Sequence, residues 1–321
     1  MSRARIAAAT GPIAIVLVVL VWLAGLVLPP YYTGLITEIG LYSLITIGLN
    51  LFMGYAGQVS LGQAAFYGIG AYTSAMLATN TRFPVSPWIG AIAAALMAAL
   101  VAYLVSFVAL RLRENLLALA TLALGIVVSI AFANWEFVGG TSGIKNIPGF
   151  SFFGHDLDAR GYAVLAWVLV AGAIWFASNL VRSTYGRTLV AISAGELGAQ
   201  TLGVSSDRLK RQIFVLSAAF AGVAGALYAS YVTYIDPTSF GFLLSVQLVL
   251  MSVIGGLRSL WGAVIGAAVV VALSQILQNV IPLVLPSARG DFQQFFFGAI
   301  LIAMLIFVPR GIAGKPDAVR T

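Results

Sequence analysis

Long apolar runs recur along the chain, separated by short breaks rich in glycine, proline or charge. A helix needs roughly 20 apolar residues to cross a bilayer. On that measure the pattern predicts spans at 9–28, 34–53, 61–79, 87–110, 115–135, 161–181, 211–233, 242–255, 261–281 and 291–308, with 242–255 short enough to be a half-span. The second and third spans are joined by an unusual stretch, Gly48–Tyr72, GLNLFMGYAGQVSLGQAAFYGIGAY. Glycines fall at Gly48, Gly54, Gly57, Gly62, Gly68 and Gly70. Each costs a helix about 1 kcal/mol relative to alanine. Asn50, Gln58, Ser60 and Gln63 are interleaved with them, and no charge appears. Irregular, polar backbone at membrane depth is stable only inside protein or beside water, and such breaks mark binding sites in many transporters. These four side chains are therefore candidates for a translocation pathway. A plain turn between two closely packed helices is the competing reading.

Composition narrows the class. The 321 residues are 61% hydrophobic and 8% charged, with mean hydropathy +1.02, against about 25% charged in a soluble domain. The reading is an all-α, polytopic membrane protein of about ten spans (range 8–10), one domain over 1–321. The absence of cysteine excludes disulfides and thiolate metal sites. Arg3 and Arg5 precede the first run, but Pro29-Pro30 follows it with no small-residue cleavage site, which favours a retained span over a signal peptide.

The net charge of +7 points to membrane orientation rather than nucleic acid. With the N-terminus cytoplasmic, ten spans place Arg3, Arg5, Arg111, Arg113, Arg182, Arg187, Arg208, Lys210, Arg211, Arg258, Arg310, Lys315 and Arg320 inside. Only Arg82, Lys145, Arg160 and Arg289 fall outside. That is the bias of the positive-inside rule, so both termini are expected in the cytoplasm. Glu38 is the one carboxylate near a span interior. It faces an aqueous vestibule, sits among headgroups or is protonated, and the residues leave these open.

No catalytic constellation, metal-ligand cluster or phosphate loop is present. Intramembrane relays for a proton-coupled carrier are missing apart from Glu38. Small-residue ridges at Ala218, Gly222 and Ala226, at Ala221, Gly225 and Ala229, and at Gly262 and Gly266 predict close helix packing. The short echo GxxSL at Gly57–Leu61 and Gly256–Leu260 is read as chance. Two loops are long. The outer one, 136–160, lacks evident structure and suits an external partner. The inner one, 182–211, predicts a short helix at about 188–202, with Leu189, Ile192 and Leu202 at helical spacing, Gly203 as a left-handed cap and Ser205, Ser206 and Asp207 as candidates to cap the next helix. The apolar face of that helix needs a surface, either the membrane interface or a groove on a soluble partner.

This inner segment resembles the coupling loop of importer permeases powered by ATP-binding-cassette ATPases, in the form found in the LivH/LivM family of branched-chain amino acid permeases. The likeness runs from Gly186-Arg187 through Glu196 and Thr201–Val204 into FVLSAAFAGVAGALYA (Phe214–Ala229). The opening stretch and VIGGLRSLWGAVIGA (Val253–Ala267) are similar to two further signatures, so most of the chain is covered, with LivM the nearer branch. The sequence departs where Gln63 stands in place of a frequent histidine, where Arg258 replaces a more usual glycine, and where Ser193-Ala194-Gly195 lacks charge. The resemblance implies a permease of the bacterial inner membrane, paired with a second permease, two cytoplasmic ATPases and an external solute-binding protein. It implies no cofactor of its own, ATP being used by the partner subunits. It assigns coupling to the ATPase to Arg187, Glu196 and Gly203, and an aliphatic amino acid as substrate. A permease for urea or other amides, an ATP-independent channel and a structural subunit are the alternatives.

Overall fold

The computed structural model describes residues 18–23, 29–80, 85–112, 114–152, 154–201, 203–284, 297–300, 302, 306 and 311–313. Helix α1 (Pro30–Asn50) starts on a proline, whose missing N–H is no loss in a first turn, and continues into a π-helical turn at Leu51–Tyr55. Then come α2 (Gln63–Ala78), α3 (Pro87–Ala109), α4 (Glu114–Asn134) and α5 (Ala159–Arg182). Two short helices follow, α6 (Thr184–Ala194) and α7 (Glu196–Thr201), then α8 (Ser206–Val232), α9 (Phe242–Gly255) and α10 (Leu260–Val284).

Among the described residues, 7 helical segments are long and apolar enough to cross a membrane: Pro30–Tyr55, Pro87–Ala109, Leu116–Asn134, Ala159–Arg182, Ser206–Val232, Pro237–Gly255 and Leu260–Asn279. The chain is thus a helical, multi-pass membrane protein. The expected span at 61–79 shortens to the 16 residues of α2, because Gly57–Gly62 stays out of the helix. The expected spans at 9–28 and 291–308 lie largely outside the described residues, as do both chain ends.

The helices are polarised in the sense opposite to that of a soluble protein. On α3 the buried positions are Pro87, Gly90, Ala94, Ala98, Ala102, Ser106 and Ala109. The exposed ones include Ile92, Leu96, Leu100, Leu104 and Val108. Lipid gives large apolar side chains no reason to hide, whereas small ones let backbones touch. Helix α8 lies in that groove. A Cβ on Gly222 would stand 2.7 Å from the Ala94 carbonyl and 2.8 Å from the Ala98 Cβ, and one on Gly225 would overlap the Tyr67 carbonyl of α2. Gly255, Gly262 and Gly266 close the α9–α10 crossing in the same way. Aromatic rings fill the centre: Phe214 meets Phe52 at 5.1 Å and Phe66 at 5.4 Å, and Tyr72 stacks on Phe132 at 4.1 Å.

The two ends of the bundle differ. At one end, β1 (Ile144–Lys145) pairs antiparallel with β4 (Tyr234–Ile235), and β2 (Ser151–Phe152) forms a hairpin with β3 (His155–Asp156). Trp88 donates to the Ser151 carbonyl at 2.9 Å and packs edge-on against Phe150. The described residues of 136–160 therefore form an ordered cap, held by the long-range β1–β4 pairing as well as by the local β2–β3 hairpin. The opposite end gathers the break after α1, the α6–α7 pair, the α9–α10 turn and residues 311–313, whose Ile312 and Ala313 N–H groups donate to the Ile254 and Gly255 carbonyls at 2.7 and 3.0 Å. Arg111, Arg182, Arg187, Arg208, Lys210, Arg211 and Arg258 lie towards this second end, and Lys145 and Arg160 towards the first.

Candidate functional site

The break after α1 is built around Asn50, which is fully buried. Its amide donates to the Ser259 carbonyl at 2.8 Å and the Gly256 carbonyl at 3.3 Å, and its oxygen accepts from the Arg258 N–H at 3.2 Å. Both donors are spent on the α9–α10 turn, so Asn50 clamps two helix ends together. Gly54 has to be glycine for the same reason: a Cβ there would lie 2.6 Å from the Arg258 nitrogen. Gly57 turns the chain with φ +69° and packs its Cα against Ser193 of α6.

The other pathway candidates are also covered in this conformation. Gln58 is buried and bonds its neighbour's carbonyl, and the Ser60 hydroxyl accepts from the Gly62 N–H at 3.4 Å. Gln63 differs from them. It bridges α2 to α8 by donating to the Ser217 hydroxyl at 2.9 Å, and its own carbonyl oxygen is buried without a partner. Nearby, the Ala64 N–H donates to Ser245 of α9 at 3.2 Å. Gln63 is thus the one of the four with a buried polar atom that has no partner at all, which makes it the best placed to meet a polar solute. The hydroxyls of Ser43, Tyr67, Ser74 and Ser252 share that lack. Sequence reasoning missed these, because a lone serine or tyrosine in an apolar run is indistinguishable from one satisfied by its own helix.

Glu38 sits in the first half of α1, on a partly open stripe with Leu35, Ile39 and Tyr42. Tyr42, one turn on, is its neighbour on the same helix, and Tyr228 and Tyr231 are its neighbours on α8.

The inner loop departs from the expected single helix at 188–202. It forms α6 and α7 with a break at Gly195. Its orientation is set by tertiary contacts. Glu196 forms an ion pair with Lys210 of α8 at 2.7 Å, with Lys210 6% exposed and Glu196 40%. The loop closes with Gly203 at φ +79° and a Val204 N–H to Ala199 carbonyl bond of 3.3 Å, a left-handed C-cap. Ser205 occupies the N-cap of α8, and its side chain makes no capping bond. Leu189 and Ile192 do not point to a partner or to lipid: both are buried against the rest of the chain. Leu202 lies outside the described residues. What the loop presents instead is a polar and small-residue ridge of Arg187, Ala191, Ala194, Gly198, Gln200 and Thr201, all exposed. Arg187 donates back to the Thr184 hydroxyl at 2.9 Å, which fixes its guanidinium over the first turn of α6. Tyr185, partly buried, has its phenol pushed above its usual range by desolvation and bonds to Gln212 of α8.

The sequence profile of the family described as the branched-chain amino acid transport system / permease component matches residues 31–305. The high-affinity branched-chain amino acid transport system permease protein LivM of Escherichia coli K12 is 31% identical over 297 residues, covering 85% of this chain and 67% of that protein. LivH of the same organism is 27% identical over 296 residues, covering 86% and 92%. A probable LivM of Methanocaldococcus jannaschii is 25% identical over 321 residues, covering 85% and 90%. No solved structure matches the chain. With a match across nearly the whole bundle and relatives of both branches, the chain belongs to the family of permease components of branched-chain amino acid transport systems.

Proposed function

We propose that this chain is one of two permease subunits of an ATP-driven importer of aliphatic amino acids in the bacterial inner membrane. The end carrying α6 and α7 faces the cytoplasm, in keeping with its arginines and lysines. Two cytoplasmic ATPases bind ATP, a second permease completes the pathway, and an external solute-binding protein docks at the end capped by residues 136–160. The chain itself needs no cofactor.

The observation that carries this reading is the build of the inner loop. Its apolar face is turned into the subunit by Leu189 and Ile192, and its rear is pinned by the Glu196–Lys210 pair. The outer face is a rigid, exposed ridge of small and polar side chains. Such a ridge suits docking into a groove on a soluble partner and moving with it, and it joins directly to α5 and α8. Arg187 and Gln200 are placed to make polar contacts there. Glu196, engaged by Lys210, acts by holding α7 in place.

Reconstitution tests the reading. With a second permease, the ATPases and the binding protein, vesicles should take up leucine, isoleucine or valine only when ATP is supplied. Solute flux through this chain alone, without ATP, would overturn it.

A further inference from the structure

We propose that Arg258 is a positioning residue, a latch that joins the inner loop to the broken end of α1 and to the α9–α10 turn. The proposal rests on the transport reading above and adds a second, non-covalent route for the loop's motion, besides the covalent one through α5 and α8.

Arg258 adopts φ +68°, a left-handed conformation that side chains other than glycine and asparagine seldom take. The backbone is gripped from both sides. Its N–H donates to Asn50, and its carbonyl accepts from the Tyr55 hydroxyl at 2.7 Å. With the main chain so fixed, the side chain reaches two further segments. Nε donates to the Gly54 carbonyl at 2.8 Å, and Nη2 donates to the Ser193 hydroxyl of α6 at 2.9 Å. Ser193 in turn donates to the Val190 carbonyl at 2.9 Å.

Electrostatics point the same way. The helical segment ending at Tyr55 and helix α6 ending at Ala194 both finish at this guanidinium, which bonds Gly54 and Ser193. Each helix end carries partial negative charge on its free carbonyls. A fixed cation between two such ends holds them together, and its bonds to neutral acceptors are charge-assisted. Besides Arg258, the close packing of Gly57 on Ser193 ties α6 to the α1 break. Arg258 is an exposed residue, so the latch can release and re-form without burying an unpaired charge.

The test uses the complete reconstituted transporter with Arg258→Ala, Arg258→Lys and Ser193→Ala. The readout is solute moved per ATP hydrolysed, which a merely destabilised protein would not change. In Arg258→Ala, ATP hydrolysis should persist while the transport ratio falls about fivefold or more, the range of typical inter-site coupling. Arg258→Lys should recover part of the ratio, since an ammonium keeps the charge but cannot bridge Gly54 and Ser193 with a planar fork. Ser193→Ala, which removes one hydroxyl from a half-buried position and keeps its Cβ packing on Gly57, should shift the ratio in the same direction by less. A ratio equal to wild type in both alanine variants would overturn the proposal. A second measurement needs no transport at all: in the purified chain, amide hydrogen exchange over 184–201 should rise in Arg258→Ala. If wild-type vesicles show no ATP-driven uptake, the transport reading fails, whereas unchanged exchange in this variant fails the latch alone.

Discussion

Single side chains in this protein are held by partners far away in sequence, and that decides what each can be asked to do. Gln63 has one bond and one bare carbonyl oxygen. Gln63→Leu removes the bare oxygen but leaves the buried Ser217 hydroxyl without that bond, so one unsatisfied group replaces another and the effects offset to within about 1 kcal/mol. Uptake should fall severalfold while thermal unfolding of the purified chain hardly moves; unchanged uptake would leave Gln63 a packing residue. Glu196 has the opposite profile. Glu196→Ala strands the buried ammonium of Lys210, at a cost of about 1–3 kcal/mol, below that of a fully buried pair because Glu196 is partly in water. The double variant Glu196→Ala with Lys210→Met should regain most of the loss, as read by thermal unfolding or by protease cleavage between α6 and α8. Neither partner was readable from the sequence. Ser217 is on another helix, and Lys210 belongs to the first turns of the next span.

At the scale of elements, local signals were legible and tertiary ones were not. Gly203 could be placed at a left-handed cap because only the residue type and the end of a periodic run are needed. The break at Gly195 could not, since it depends on where Lys210 pulls Glu196. The alanines of α3 lie in AIAAALMAAL (Ala91–Leu100), where small residues occupy several faces at once and no single ridge stands out. The order of the 136–160 segment was hidden because its strands are two residues long and β1 pairs across the chain with β4. One element of that cap carries a pH signature. Asp236 starts the turn at Pro237–Phe240, accepting from the Thr238 and Ser239 N–H groups at 2.8 and 3.1 Å. Burial alone would raise its pKa, but these bonds and those from the two hydroxyls outweigh it and hold the carboxyl below its usual range. A carboxylate depressed in the folded state adds stability above its unfolded pKa, about 4, and loses that contribution as pH falls through the folded value. Asp236→Asn keeps one acceptor oxygen but loses the charge and the second oxygen, and should therefore loosen 236–240 at pH 7 by about 1 kcal/mol. The gap to wild type should close on acidification below about pH 4, as followed by hydrogen exchange over 234–241.

For the whole molecule, the inversion of small and large residues sets the rules for substitution. In a water-soluble bundle, trimming a core leucine is harmful and enlarging a surface alanine is harmless. Here the order should reverse. Leu100→Ala removes a side chain that faces outward and should leave the unfolding temperature nearly unchanged. Ala98→Leu adds three heavy atoms to a side chain that already touches Gly222 and should cost about 1–3 kcal/mol. Thermal unfolding of both variants in the same detergent checks the pair. Hydropathy made the class of the molecule plain because bilayer thickness imposes one length on every span. It said nothing of which helices touch, since lipid-facing and protein-facing sides are equally apolar.

A ridge whose teeth are identical does not define its own alignment. Ala94, Ala98 and Ala102 repeat every four residues, so shifting α8 along α3 by one turn, about 5.4 Å, would meet a similar row of methyl groups. Alanine and glycine also have no side-chain rotamers to reorganise in such a step. Alignment comes instead from Gly222, because a one-turn shift would bring Ala218 or Ala226 to a place where a Cβ meets the Ala94 carbonyl at 2.7 Å, and from Arg211 of α8, which lies 4.0 Å over the Phe107 ring. The rail is smooth except at one notch and one stop, a bare glycine and a cation–π contact.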